Sequence, residues 1–131
     1  MNKKFKFALK RSKNHNFEKE YRLCALIIKG GKIVSIGFNN NKYHSIIDKY
    51  NNKDYPITLH AEMNAILKAR AKGINIKGSK MLVLRLLSDG SVAIAKPCEV
   101  CQRIIKDYGI KRVKYTINNN NIGLLKVSEL Y

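Results

Sequence analysis

The sequence predicts an α/β fold, a three-layer α/β/α sandwich built on a mixed sheet of five strands. The first observation is the order of its segments, which runs strand, strand, helix, strand, helix, strand, strand. The second is the turn at Asn118–Asn121. This turn is too short for a parallel crossover, so we expect the last two strands to be antiparallel. The third is the length of 131 residues, which suits one domain with a single core.

Apolar runs bounded by turn residues predict the strands. The first two runs flank Gly30-Gly31, a pair that favours a tight hairpin. Ser88–Gly90 turns the chain after the third strand, and Ser91–Ala95 returns from that turn. The predicted strands are Leu23–Ile28, Lys32–Gly37, Lys80–Leu87, Lys111–Ile117 and Ile122–Val127.

Helical spacing and end signals predict two helices. The first runs from about Leu59 to Lys72. Thr58 or His60 caps its start, and Gly73 fits the left-handed position just past its end. The second helix begins with Pro97 at the first helical position, where the missing N–H of proline is harmless.

The remaining segments are polar. Residues 1–20 are expected to form a basic N-terminal arm or short helix ahead of the main domain at residues 21–131, and residues 38–58 are expected to form a long loop. No apolar run approaches ~18 residues, so we expect no membrane span. The N-terminus lacks the apolar stretch and cleavage site of a signal peptide, and we expect a cytoplasmic protein.

The charge is strongly positive, with 26 Lys and Arg against 9 acidic residues and a net charge of +17. Such a field attracts polyanions, so nucleic acid is a candidate partner. Joint enrichment in Lys and Asn is equally what an AT-rich coding sequence produces, and the two explanations stay open. Composition excludes a wholly disordered chain, since 45% of the residues are hydrophobic. Three cysteines, an odd number, argue against a disulfide framework.

His60, Cys98 and Cys101 have the types and spacing of zinc ligands. The two cysteines lie three apart at the start of one predicted helix, so both sulfurs can face one metal. If the helices lie side by side, His60 completes a set that binds one zinc per chain and leaves its fourth position open, as catalytic sites do. Water in that position has its pKa lowered to roughly 7. Cys24 lies in an apolar run and is expected to be a core residue.

Glu62 lies two residues beyond His60 and is the candidate proton shuttle. At that spacing its carboxylate can sit beside the zinc-bound water without being a ligand, acting as general base and then as general acid. Either motif alone is weak evidence, because C-x-x-C also occurs in redox proteins and H-A-E at an exposed helix start. Both motifs together, each at a helix N-terminus, indicate catalysis.

The combination of H-x-E at His60–Glu62 with P-C-x-x-C at Pro97–Cys101 resembles the signature of zinc-dependent nucleobase deaminases. The resemblance implies the cytidine deaminase-like fold. It also implies hydrolytic deamination, in which the amino group at C4 of cytosine is replaced and ammonia is released.

The same resemblance implies roles for individual residues. The backbone N–H groups of Ala61 and Cys98 are expected to bind the base carbonyl. Asn39 matches the asparagine that contacts the substrate sugar, and Glu62 matches the residue that moves the protons. The implied zinc ligands are His60, Cys98 and Cys101.

The segment His60–Ile66 contains H-A-E-M-N-A, which is most similar to the deoxycytidylate deaminases. We therefore expect a small (deoxy)cytidine nucleotide as substrate and, because family members commonly assemble, a homo-oligomer. The final hairpin is instead similar to the free-nucleoside deaminases. Two alternatives stay open. One is a deaminase of cytosine or adenine in RNA or single-stranded DNA, and the other is a deaminase-fold protein that binds nucleic acid without catalysis.

Arg85 and His44 are further candidates for substrate contacts. Arg85 lies near the carboxyl end of a strand, where ligands of α/β folds bind, and could meet a substrate phosphate. The commoner outcome there is a solvated arginine, and this is our expectation. His44, in the long loop, could line the pocket, but a lone loop histidine is more often exposed.

Overall fold

A mixed sheet and four helices make up the described part of this computed structural model, which covers residues 2–14, 21–51 and 57–127. No described helix has the length and apolar character needed to cross a membrane. The strands are β1 (Tyr21–Lys29), β2 (Lys32–Phe38), β3 (Lys80–Leu87), β4 (Val92–Ala93), β5 (Arg112–Thr116) and β6 (Ile122–Lys126). The helices are α1 (Lys3–Asn14), α2 (Ile46–Tyr50), α3 (Ala61–Ala71) and α4 (Glu99–Asp107).

The sheet has the strand order β2-β1-β3-β5-β6, with β4 paired to β3 outside this path. Only the pairing of β3 with β5 is parallel among the described strands. β6 runs antiparallel to β5, with Lys114 opposite Leu124, as the short asparagine turn predicts. The five predicted strands form the path. The sixth is a two-residue part of the Ser91–Ala95 return and places Ala93 opposite Arg85.

Helices cover both faces of the sheet, which confirms the three-layer arrangement. Alternate residues of β1 point to opposite faces. Ala25 and Ile27 join the core beneath α3 and α4, whereas Cys24 and Leu26 join the core that contains Phe5 of α1. Residues 3–14 of the basic N-terminal segment therefore form a helix on the second face, and residues 15–20 lie outside the described part of the chain.

The structure differs from the sequence prediction at three helix positions. The predicted loop at residues 38–58 contains α2, which buries Tyr50 and is held by a 2.7 Å hydrogen bond from the Tyr50 hydroxyl to the Asp107 carboxylate. That contact is long-range, so the local pattern did not indicate it. α3 begins at Ala61 rather than Leu59. Pro97 is not the first helical residue, because the extended backbone of Cys98 (φ −68°, ψ 168°) delays α4 to Glu99.

Candidate functional site

Two helix N-termini meet at the candidate site. His60 is the N-cap of α3 and Cys98 is the N-cap of α4, and both have extended backbones. The N–H of Asn64 donates to the His60 carbonyl at 3.0 Å, and the N–H of Gln102 donates to the Cys98 carbonyl at 2.9 Å. These first hydrogen bonds of the two helices fix the backbone of both residues.

His60, Cys98 and Cys101 form one compact ligand cluster. The His60 Nδ1 atom lies 3.3 Å from the Cys101 sulfur and 3.5 Å from the Cys98 sulfur. The ligand atoms of all three residues lie within 4.8 Å of one another. Two sulfurs and one imidazole nitrogen form a donor set that suits zinc and leaves one tetrahedral position for a reactant. The three residues are thus positioned as a zinc ligand group, as the sequence predicts.

The two thiols of this cluster have opposite pKa shifts. The hydrogen bond with Cys101 lowers the pKa of Cys98 to about 4, and the His60 ring adds to this effect. The same hydrogen bond, together with burial, raises the pKa of Cys101. One thiolate is therefore present at neutral pH, which favours capture of a cation because the thiolate is the form that binds metal.

Glu62 lies in the first turn of α3 and is 4% exposed. Its Oε1 atom is buried and has no hydrogen-bond partner among the described residues. Burial raises the pKa of the Glu62 carboxyl above its ordinary value. A buried carboxyl group with an unpaired oxygen favours the protonated form and can exchange that proton with a bound reactant.

A cavity of about 180 Å³ opens beside the cluster. It joins one end of the sheet to the start of both helices, which is where ligands of α/β folds bind. Its polar and charged lining residues include Asn39, His60, Glu62, Arg85, Lys96 and Cys98.

Asn39 is 4% exposed and is fixed by β1. Its Oδ1 atom accepts the N–H of Leu23 at 2.8 Å, and its own backbone N–H donates to the Leu23 carbonyl at 3.3 Å. The amide nitrogen Nδ2 is buried and has no partner among the described residues. The structure thus places Asn39 in the cavity lining with one hydrogen-bond donor unused.

Ala61, the first residue of α3, is fully buried, and its side chain does not line the cavity. Backbone N–H groups in the first turn of a helix have no partner within the helix. The expected contact between its N–H and a base carbonyl is therefore compatible with its position and stays a prediction.

The expectation that Arg85 is a solvated arginine is wrong. Its Nε atom is buried, and the side chain lines the cavity beside Tyr21 and Lys96. Neither Tyr21 nor Lys96 was predicted from the sequence to contact the substrate. Only the position of Lys96, directly before the P-C-x-x-C motif, was a signal for it.

His44 is exposed and does not line the cavity. Its Nδ1 atom accepts the N–H of Ile46 at 3.0 Å, next to the start of α2. His44 is therefore an exposed residue and not a lining residue of the cavity.

The model of the cytidine and deoxycytidylate deaminase zinc-binding region matches residues 2–117 of the chain. This match includes the four residues expected to bind the metal and move protons. No curated protein is significantly similar to the chain in sequence.

Solved structures of deaminases share the fold. A dCMP deaminase from the cyanophage S-TIM5 is 23% identical, with a TM-score of 0.57 over 92% of this chain and 88% of that one. A cytidine deaminase from Burkholderia pseudomallei is 17% identical, with a TM-score of 0.64 over 99% of this chain and 96% of that one. A cytidine deaminase from Mycobacterium leprae is 18% identical, with a TM-score of 0.59 over 95% and 91%. These similarities show that the fold is cytidine deaminase-like.

Proposed function

The chain belongs to the cytidine and deoxycytidylate deaminase family. We propose that it removes the amino group of cytosine by hydrolysis in a (deoxy)cytidine nucleotide. The products are the uracil nucleotide and ammonia. One observation carries this proposal: Glu62, whose buried Oε1 atom has no partner among the described residues, lines the same cavity as His60 and Cys98 of the zinc ligand group. A site that only bound a metal for structural reasons would have no need of this carboxyl group.

The donor chemistry of the cluster fits zinc, and His60, Cys98 and Cys101 are the residues that would hold it. When bound, zinc supplies a Lewis acid that makes water nucleophilic at neutral pH. The protein contributes the orientation of the ligands, because both cap residues are fixed by the first hydrogen bond of their helices.

Glu62 is the proton carrier of the proposed reaction. Its Oε1 atom accepts a proton from the attacking water as the water oxygen bonds to C4, and it delivers that proton to N3 of the cytosine ring, so that C4 becomes tetrahedral. The carboxylate then takes the proton of the new C4 hydroxyl and passes it to the amino group. The C4–N bond breaks, ammonia leaves, and the hydroxyl oxygen becomes the carbonyl of uracil. The raised pKa of Glu62 suits this role, because the buried carboxyl group holds a proton readily between the two transfers.

Asn39 and the start of α3 orient the substrate in this proposal. The unused donor of Asn39 supports a hydrogen bond to a sugar hydroxyl. The backbone N–H groups of Ala61 and Cys98 accommodate the base carbonyl. Support for a nucleotide comes from the H-A-E-M-N-A segment at the start of α3. One of the similar solved structures, the S-TIM5 enzyme, is described in complex with dCMP and dUMP.

The proposal includes a homo-oligomer. Strand β6 lies at an edge of the sheet and exposes two large apolar side chains, Ile122 at 41% and Leu124 at 50%. Exposed apolar surface at a sheet edge favours association with a second chain. Light scattering after gel filtration measures the mass directly, and a monomer at micromolar concentration would contradict this part of the proposal.

A second candidate function is deamination of cytosine or adenine within a nucleic acid strand. The supporting observation is a second groove, of about 600 Å³, at the hairpin end of the sheet. Acidic side chains are absent from its described lining, whose cations are Lys4, Lys29, Lys80, Arg112 and Lys114. A polymer bound there would release counterions, so its turnover would fall steeply between 50 and 200 mM salt (on the order of 10³-fold for 6 phosphate contacts), whereas a mononucleotide would respond weakly.

The test is ammonia release by the zinc-loaded protein with cytidine, deoxycytidine, their monophosphates, single-stranded DNA, single-stranded RNA and tRNA. The control is Glu62→Gln, which keeps the shape of the side chain but cannot carry the proton. We expect Glu62→Gln to retain zinc and to lose turnover by about 10²- to 10⁴-fold. Equal turnover by the variant would contradict the role of Glu62, and no ammonia from any substrate would contradict the proposed function.

A further inference from the structure

We propose that Arg85 binds a phosphate group of the substrate and thereby makes the site specific for a phosphorylated cytidine over the free nucleoside. The inference rests on the proposed function and identifies the chemistry of its substrate. The shared chemistry is a phosphate ester, which a mononucleotide and a polynucleotide both carry.

The position of Arg85 in β3 is the first step. Side chains of a strand alternate between faces. Met81 and Val83 are buried in the core beneath α3 and α4. Arg85 is the next residue on that same face, at the end of the strand where the cavity opens. A cation thus stands where the pattern of the strand would place an apolar side chain.

The surroundings of Arg85 leave it without a counterion. Its guanidinium carbon lies 4.4 Å from the centroid of the Tyr21 ring, which fixes the side chain by stacking. Its buried Nε has no hydrogen-bond partner among the described residues, and none of the ion pairs found there includes it. A buried N–H of a partly buried cation is unfavourable without an acceptor, and a phosphate oxygen would supply that acceptor.

The charge of the cavity supports the same ligand. Arg85 and the exposed Lys96 are its two cations, and Glu62 is the single acidic residue among its described lining residues. Since Glu62 belongs to the reacting centre, the two cations are available to a dianion. Guanidinium groups bind phosphate with two parallel hydrogen bonds, which gives Arg85 the geometric role and Lys96 a supporting charge.

Arg22 provides a matched control. It lies on the same pair of strands, opposite Leu86, and its Nε is likewise buried without a partner among the described residues. Arg22 does not line the cavity, however. An unpaired Nε is thus not sufficient for the inference, which depends on its combination with the cavity beside the zinc ligand group.

The experiment compares wild type, Arg85→Met, Arg85→Lys and Arg22→Met with dCMP and with deoxycytidine. For Arg85→Met we expect KM for dCMP to rise roughly 10- to 100-fold, the loss of one or two charge-assisted hydrogen bonds, and the preference for dCMP over deoxycytidine to fall by about the same factor. Arg85→Lys should raise KM for dCMP less than Arg85→Met does. Arg22→Met should leave the ratio of kcat/KM for dCMP to kcat/KM for deoxycytidine unchanged. Thermal melting checks that each variant is folded.

Calorimetry with the products dUMP and deoxyuridine gives a readout that needs no turnover. We expect wild type to bind dUMP more tightly than deoxyuridine, and Arg85→Met to lose that difference. Arg85-dependent turnover of a DNA oligonucleotide with one internal cytosine would show that the phosphate bound by Arg85 belongs to a polynucleotide. Turnover of dCMP alone would show that it belongs to a mononucleotide. A wild type that uses deoxycytidine as well as dCMP would overturn the inference while the deaminase function stands. Failure on every substrate would contradict the deaminase function itself.

Discussion

A Cβ atom on Gly37 would lie 2.3 Å from the backbone nitrogen of Ala65, so β2 and α3 are in direct backbone contact. Two hydrogen bonds reinforce the contact. The N–H of Phe38 donates to Asn64 Oδ1 at 3.0 Å, and the Ser35 hydroxyl donates to the Ala65 carbonyl at 2.7 Å. Because α3 begins directly after His60 and carries Glu62, this contact sets where both residues lie relative to the sheet.

Gly37→Ala should therefore destabilise the protein. The added methyl group has no room against the helix backbone, and overpacking of this kind costs about 1–3 kcal/mol. Deamination should also fall, because α3 would have to shift with Glu62. Urea unfolding of the zinc-loaded protein measures the first effect. Lys32→Ala, at an exposed position of the same strand, is the control. An unchanged free energy of unfolding for Gly37→Ala would show that the contact is not tight.

Cys101→Ala should lose stoichiometric zinc, whereas Cys24→Ala should retain it. Both cysteines are fully buried, but only Cys101 lies within reach of His60. Zinc held by His60, Cys98 and Cys101 would connect α3 with α4, so its removal by a chelator should lower the melting temperature of wild type and of Cys24→Ala. Elemental analysis and thermal melting measure both effects. Full zinc occupancy in Cys101→Ala would remove this cysteine from the ligand set.

Asn39→Asp should separate the two roles of Asn39. The carboxylate keeps an acceptor for the Leu23 N–H, so the fold should be preserved. It loses the unpaired amide donor and adds a negative charge to the cavity, so we expect KM to rise at least about tenfold, the equivalent of roughly 1.4 kcal/mol. Steady-state kinetics combined with a thermal melt measure the two effects. A variant with normal KM would show that the Asn39 donor does not contact the substrate.

The stability of the protein should depend on Cys24 at alkaline pH. Burial raises the pKa of the Cys24 thiol from 9.0 to about 12. Between these values the unfolded chain releases a proton that the folded chain keeps, so stability is fully present below pH 9 and declines as the pH rises towards 12. At pH 10 the difference amounts to roughly 1 kcal/mol.

The measurement is the free energy of unfolding of wild type and Cys24→Ala at pH 8 and at pH 10. The difference between the two proteins isolates this thiol from the lysines and tyrosines that titrate in the same range. We expect wild type to lose more stability than the variant across that interval. Parallel losses would mean that Cys24 ionises in the folded protein as it does in the unfolded chain.

Several features of the fold follow from local chemistry and could be predicted without the structure. The two apolar runs around the Gly30-Gly31 turn specify the β1–β2 hairpin, and the short asparagine turn permits only antiparallel pairing of β5 and β6. The zinc ligand group could also be predicted. The residue types indicate a shared metal site, because a histidine and a C-x-x-C pair stand at the starts of two helices. They can bind one metal only if those two helices lie side by side.

Other features depend on contacts between residues distant in sequence and could not be predicted from local patterns. The polar composition of residues 3–14 left open whether they form a helix, and their helix is stabilised by the face of the sheet that buries Phe5. The short helix α2 depends on the bond from Tyr50 to Asp107, 57 residues away. Arg85 illustrates the same limit. Strand alternation gives its face, but whether that end of the strand meets solvent or a cavity depends on how β1, α3 and α4 pack around it.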